Sequence, residues 1–368
     1  MSTRLAPLVP SAPPVGAVRF GQSVQRSLQR LVHKMAPPQF TIMGIVSDRW
    51  RADALAALVR LGVPDALGDA SRTAEELAEE LQLNAPALYR VLRALARDGL
   101  VEERQRRFSL NALSHPLRRD HPASMANMVM ELAAPRNAAC WSQLAQSVRT
   151  GQTAWGSLYD VDMWAWLDQH PDEHAIFHGA MLELTREGAP SYARAYPFGE
   201  HTSVVDLGGG TGLLLATILA VHPNLRGVLI DAPSVVAGAP AVLQRYGVED
   251  RCAIVGADIF TSPVPAGHGA YIAKNISHGV SDDGLRGPLE RWRAAMVPTS
   301  RLVLIDVVVP EGDAPYLGFL DLQMLLVSHG GKERTEAEFG ALLGANGLAL
   351  ERVIPTASPM SMVVARRT

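Results

Sequence analysis

Lysine, cysteine and long apolar runs are the scarce features of this 368-residue chain. Arginine replaces lysine almost everywhere: Lys34, Lys274 and Lys332 are the only lysines among 34 basic side chains. That bias reads as genomic composition, yet it makes the two lysines of the C-terminal half conspicuous. Cys140 and Cys252 are the only cysteines, far apart and without a C-x-x-C or Cys/His ligand cluster. A disulfide framework and a structural zinc site are thereby excluded, and both cysteines read as buried thiols in a reducing cytoplasm. No apolar run reaches the ~18 residues needed to span a bilayer as a helix. A net charge of -3 gives no general attraction to nucleic acid or to an anionic membrane. No acidic residue precedes Asp48, and the proline-rich run from Pro7 to Pro14 favours disorder at the extreme N-terminus.

What remains is ordinary for a globular chain: 48% hydrophobic and 19% charged residues, enough for two domains with real cores. The acid-free start contains Ser23 to Lys34, a basic amphipathic pattern. It suits an organelle-targeting peptide, an arm packed on a partner subunit, or a loosely ordered extension. From Gly44 to about Leu110 the pattern is helical. Arg51 to Gly62 places its apolar residues at helix spacing, Thr73 and Glu76 suit a capping box, and a third helix pattern runs from Asn84 to Gly99. Leu100 to Leu110 reads as two strands about a polar turn. Three helices and a β-wing make a winged helix, for which DNA binding through Arg90, Arg93 and Arg97 is the obvious functional reading. The charge balance, however, lacks the basic footprint of a DNA-binding domain.

Ser203-Val-Val-Asp206-Leu-Gly208-Gly209-Gly210-Thr211-Gly212 is the most informative stretch. A short apolar run, an acid and a glycine knot before an apolar helix read as strand, tight turn and helix start. Such a turn brings main-chain N–H groups close to a ligand and suits a nucleotide. The spacing is G-x-G-x-G, not the dinucleotide G-x-G-x-x-G. Further strands end at Asp231, at Asp258 and, after Gly269 to Lys274, near His278; another runs from Arg301 to Pro310 through Asp306.

The knot, with acids at the next two strand ends, resembles the first motif of class I S-adenosylmethionine-dependent methyltransferases. The resemblance covers the rest of the chain. It implies cofactor contacts at Asp206, Gly208, Gly210, Asp231, Asp258, Ile259, Phe260 and Lys274, with Asp231 on a ribose, Asp258 on an adenine amino group, and Ile259 and Phe260 packed on the ring. The downstream pattern resembles plant-type and bacterial polyketide-tailoring O-methyltransferases. That likeness puts His278 at the general base, Asp306 and Glu333 at the two acids flanking it, and Met324 and Ser328 at a pocket wall. It further puts Trp166, Phe177 and Met181, from a Met- and Trp-rich helical stretch, at the acceptor pocket. The stripe also reads as plain core, and Glu333 could equally cap the helix begun at Thr335. Where the family has His-Asp-Trp, this chain has His278-Gly279-Val280, with Ser277 in place of an apolar neighbour.

These features imply an α/β fold: a Rossmann-like methyltransferase domain over residues 196–368, preceded by an all-helical, winged-helix-like dimerisation domain at 41–118. An extension at 1–40 and a helical substrate-pocket region at 119–195 complete the chain. The implied protein is a dimeric, cytoplasmic O-methyltransferase that uses S-adenosylmethionine on a phenolic or enolic hydroxyl of an aromatic or polyketide-like metabolite. No metal, nucleic acid or membrane enters the reading. Two alternatives stand beside it: a relative that uses the cofactor in hydroxylation or decarboxylation, and a cofactor-sensing DNA-binding regulator.

Overall fold

A computed structural model describes residues 9–310 and 315–368; the part of the proline-rich start before residue 9 lies outside them. Two units make up the chain. One consists of Gly21–Ala139 and Trp164–Leu184, and the other chiefly of Cys140–Met163 and Thr185–Thr368. The region 119–195 is therefore shared between the units, the division falling within the long helix Pro171–Ala195.

In the first unit the helix anticipated from Arg51 begins earlier, at Pro38, and runs to Arg60. Pro38 suits a first helical turn, where its missing N–H has no partner to lose, and the helix passes through Gly44 without a break. Thr73 forms the anticipated capping box with Glu76, and Asn84 caps Ala85–Arg97 by accepting from the N–H of Ala87. Strands β1 (Arg72–Thr73), β2 (Glu102–Arg104) and β3 (Arg107–Ser109) form an antiparallel sheet in the order β1-β3-β2. The wing thus has a third strand. Gln105 and Arg106, both left-handed, close the two-residue hairpin between β2 and β3. Leu77, Leu88, Leu92, Leu95 and Phe108 form the core.

The second unit is built on seven strands, ordered β11-β12-β8-β7-β4-β5-β6. They are β4 (Ser203–Leu207), β5 (Arg226–Asp231), β6 (Cys252–Gly256), β7 (Ala270–Lys274), β8 (Arg301–Asp306), β11 (Leu348–Pro355) and β12 (Ser361–Arg367). A short parallel pair, β9 (Val308–Val309) and β10 (Arg334–Thr335), lies outside this sheet. Strands β4 to β8 run parallel, whereas β12 and β11 are antiparallel additions. Covered on both faces, β4, β7 and β8 are almost wholly buried, as their unbroken Val/Ile/Leu content requires. The edge strand β6 is covered less, so Cys252 is half-buried and not, as expected, buried like Cys140. Helix Leu213–Val221, apolar on every side, is buried from Leu213 through Leu219.

Chain order runs outward from β4 through β5 to β6, then returns to place β7 on the other side of β4. Ligands of open α/β sheets bind at such a reversal, beyond the carboxyl ends of the strands. Trp292, fully buried in the helix Asp282–Ala295, packs beneath this end and donates from its indole N–H to the carbonyl of Ile259 at 3.3 Å. No helix among the described residues is long and apolar enough to cross a membrane.

Trp292→Ala should destabilise the protein by about 3–5 kcal/mol in denaturant unfolding, as large aromatic truncations in a core do. Trp292→Phe, which keeps most of the packing and loses one hydrogen bond, should cost about 1 kcal/mol plus the lost ring volume.

Candidate active site

Five strand ends converge on one crevice. After β4, Gly208 and Gly210 adopt φ of +72° and +63°, conformations open to glycine at little cost. A Cβ on Gly208 would lie 2.8 Å from Ile276 Cδ1 and 3.1 Å from Ile259 Cδ1, so this position also allows a close approach. The N–H groups of Gly208 and Gly209 both donate to the carbonyl of Ile230. At the end of β5, Asp231 accepts from the N–H of Gly210 and of Ala232, each at 2.7 Å, and each of its oxygens retains further acceptor capacity. After β6, Asp258 closes its own turn, accepting from the Phe260 N–H at 2.8 Å and the Thr261 hydroxyl at 2.7 Å. Ile259 is buried, and Phe260 packs half-buried against the main core.

Asp206 and Lys274 end the two strands at the reversal. Burial pushes Asp206 up to about 7, with Asp231 adding to the rise and Lys274 opposing it. Burial pulls Lys274 down to about 8 against the attraction of Asp306 and Asp206. Asn275 follows in a left-handed conformation at φ +56°, rare for a non-glycine residue and concentrated at functional sites.

His278 lies in a short 3-10 turn, Ser277–Gly279, and its Nδ1 is 2.8 Å from Glu333 Oε1. The Glu333 side chain is wholly buried. Burial alone disfavours the imidazolium, but the hydrogen bond that His278 donates to Glu333 and the charge of Asp306 outweigh it, and His278 stands above its ordinary value. Glu333 therefore supports the histidine; the capping role falls to Glu338, which forms a capping box with Thr335. Asp306 does not hydrogen-bond His278. Its Oδ2 takes the hydroxyl of Ser277 instead, so it acts on the ring through space, and burial raises it to about 6. The serine at the departure from the family pattern thus supplies a hydrogen-bond donor to Asp306. The helix start missing at Gly279 is recovered at Ser281, which caps Asp282–Ala295 by accepting from the Gly284 N–H.

Met324, in helix Pro315–Val327, and Ser328 just after it are half-buried, the serine hydroxyl 3.8 Å from the thioether sulfur. Trp166, Phe177 and Met181 belong to the other unit. There Trp166 stacks on His170 at 3.8 Å, and Phe177 meets Trp164 edge-on at 5.5 Å. Two residues carry the site without having been singled out from sequence. Asp321 accepts from the Glu333 N–H at 2.8 Å, and Arg334 is a buried hub of hydrogen bonds. Only the adjacency of Arg334 to Glu333 signals either of them in the sequence.

Asp206 Oδ2, Asn275 Oδ1, Asp306 Oδ1 and Glu333 Oε2 are buried without a hydrogen-bond partner among the described residues. All four are acceptors, three of them at or just after strand carboxyl ends and the fourth against the His278 turn, and such orphans are costly unless a ligand supplies donors or positive charge. No group of three or more His, Cys, Asp or Glu side chains among the described residues is arranged to hold a metal ion.

A family model described as an O-methyltransferase domain matches residues 141–349, and one described as an O-methyltransferase dimerisation domain matches residues 45–119. The mitomycin biosynthesis 6-O-methyltransferase of Streptomyces lavendulae is 37% identical over 335 residues, covering 90% of this chain and 95% of that protein. The solved structure of LaPhzM superposes with a TM-score of 0.85 at 35% identity, over 90% of this chain and 100% of that one. NcsB1 from neocarzinostatin biosynthesis, solved with S-adenosylmethionine and 2-hydroxy-5-methyl naphthoic acid, superposes with a TM-score of 0.72 at 31% identity, over 86% of this chain and 95% of that one.

An acid whose folded value stands near 7 against 3.8 in the open chain stabilises the fold only while protonated. That contribution is full below about 3.8 and is lost progressively as pH rises from there through about 7. Ligand-free Asp206→Asn should therefore melt above the native protein at pH 8, with the gap closing towards pH 5. Thermal melts across that range, showing the Asn variant less stable at pH 8, would assign Asp206 a purely structural role.

Proposed function

The chain belongs to the S-adenosylmethionine-dependent O-methyltransferase family, and we propose that it methylates an aromatic hydroxyl with His278 as general base. The observation that carries this reading is the hydrogen bond from His278 to the buried Glu333 carboxylate, on the turn after β7. S-adenosylmethionine supplies an electrophilic methyl group on a positively charged sulfonium. The residues present fit it: a cation with an ammonium and several hydroxyl and amino donors answers the orphaned acceptors of the crevice. Gly208 and Gly210 would let it approach the main chain closely, Asp231 would accept from a ribose and Asp258 from an adenine amino group, and Ile259 and Phe260 would present apolar surface to a ring. Asp206 and Lys274 hold the crevice between β4 and β7.

With Nδ1 committed to Glu333, the basic nitrogen of His278 is Nε2. Proton transfer from a phenol of pKa ~10 to an imidazole of pKa ~6.5 is uphill by about 5 kcal/mol. Glu333 and Asp306 narrow that gap by favouring the imidazolium. The proton moves from the acceptor oxygen to Nε2 as the oxygen becomes nucleophilic, and the buried carboxylate of Glu333 stabilises the cation that results. The aromatic acceptor class is supported by the naphthoic acid bound in NcsB1.

The chain acts as a homodimer. Phe20, Leu28, Leu31, Val32, Met35, Phe40, Ile45 and Trp50 are exposed along the helices Val15–Met35 and Pro38–Arg60, Trp50 at 73%. Exposed large apolar side chains in this number mark an interaction surface, and the dimerisation-domain match supports self-association. Light scattering at micromolar concentration should give twice the mass of one chain; a stable monomer would overturn this assignment.

His278→Ala should lower turnover by the ~10²–10⁴ expected for a lost general base and leave S-adenosylhomocysteine affinity nearly unchanged. Part of the rate should return at high pH, where the acceptor ionises unaided. Near-native turnover of the variant would mean that the base is not needed and alignment alone suffices.

A further inference from the structure

We propose that Arg334 is a positioning residue that holds His278 against Glu333 by clasping the loop between the histidine and the helix that begins at Asp282. The proposal rests on the general-base reading of His278 and extends it. Arg334 is 1% exposed and spends its guanidinium on the loop that bears the histidine. Nη1 donates to the carbonyl of Ser277 at 2.7 Å and Nη2 to that of Val280 at 2.9 Å, so the carbonyls on either side of His278-Gly279 are both taken. Nε and Nη2 reach Asp282 Oδ1 at 3.0 and 2.7 Å, fastening the first residue of the following helix. The same side chain thus grips the loop at three points, while its chain neighbour Glu333 supplies the partner of Nδ1.

A second contact closes the clasp from the other side. A Cβ on Gly331 would lie 2.5 Å from the carbonyl oxygen of His278 and 3.0 Å from the carbonyl carbon of Gly279, and one on Gly330 would lie 2.8 Å from Ser281 Cβ. The segment Gly330 to Arg334 therefore lies flush against His278 to Asp282, and a planar fork with five fixed donors is suited to bind two carbonyls and a carboxylate at once. Lysine, a point donor on a flexible stem, cannot reproduce that geometry. Because the fork and Glu333 are consecutive residues, movement of one moves the other relative to the imidazole. A displacement of about 1 Å in such a site is enough to cost about 10²-fold in rate.

The test compares Arg334→Lys, Arg334→Ala and Asp282→Asn with the native dimer. Each is measured for kcat, for KM of both substrates, for S-adenosylhomocysteine affinity and for the titration of His278 by nitrogen-15 NMR. The lysine and alanine variants should lose about 10–100-fold in kcat with little change in cofactor affinity, and His278 should titrate closer to the ordinary imidazole value as its bond to Glu333 loosens. Asp282→Asn keeps the guanidinium and weakens one of its three anchors, so it should show a smaller loss in the same direction. Should the arginine variants fail to fold, the aspartate variant carries the test. A folded variant with native kcat and a native His278 titration overturns the proposal. His278→Ala measured in parallel separates the two readings: native turnover in that variant sinks the general base, while the NMR titration still reports whether Arg334 sets the histidine's environment.

Discussion

A hydrogen bond between a half-buried imidazole and a buried carboxylate, His278 and Glu333, is the constraint to which the rest of the active-site architecture answers. A carboxylate taken fully out of water needs compensation. Here it comes from the imidazole on one oxygen and from the segment's own anchorage, with Asp321 accepting from the Glu333 main chain. The pair is made by residues 55 positions apart, so each partner has to be delivered by a different part of the fold. His278 arrives on the turn after β7, and Glu333 on the segment leading into β10.

The sheet decides where that delivery happens. Reversal of strand order at β4 and β7 opens the crevice beyond their carboxyl ends, and the acids of β4, β5 and β8 with Lys274 of β7 all fall there. Their burial drives Asp206 up to about 7 and Lys274 down to about 8. Both shifts point to a site whose charges are incompletely matched by the protein alone. Orphaned acceptors at Asp206, Asn275, Asp306 and Glu333 tell the same story from hydrogen bonding. A cationic, donor-rich cosubstrate resolves both, which links the stability of the free protein to the chemistry it performs.

Much of this was legible in the sequence because it is local. The glycine knot, the acids at strand ends and the capping box at Thr73 depend on residues within a few positions of one another. So does the two-strand hairpin at Gln105 and Arg106. What was not legible depends on tertiary neighbours. The Thr335-x-x-Glu338 spacing assigns the helix cap locally, but the pairing of Glu333 with His278, 55 positions away, exists only in the folded chain. Asp306 reads as a flanking acid until Ser277 is seen to take its oxygen, and Arg334 looks like any arginine of a charged run until the loop it grips is in place. The antiparallel strands β11 and β12 and the early helix start at Pro38 were likewise settled by packing.

The central claim is that Glu333 raises the basicity of His278 for proton abstraction, and the pH dependence of kcat in Glu333→Gln tests it most directly. The glutamine still accepts from Nδ1 but no longer favours the imidazolium, so His278 should deprotonate at lower pH. The account predicts that the acid limb of the profile moves to lower pH while the plateau rate falls, because the base is available earlier but is weaker. An acid limb and a plateau both unchanged from the native enzyme would contradict it.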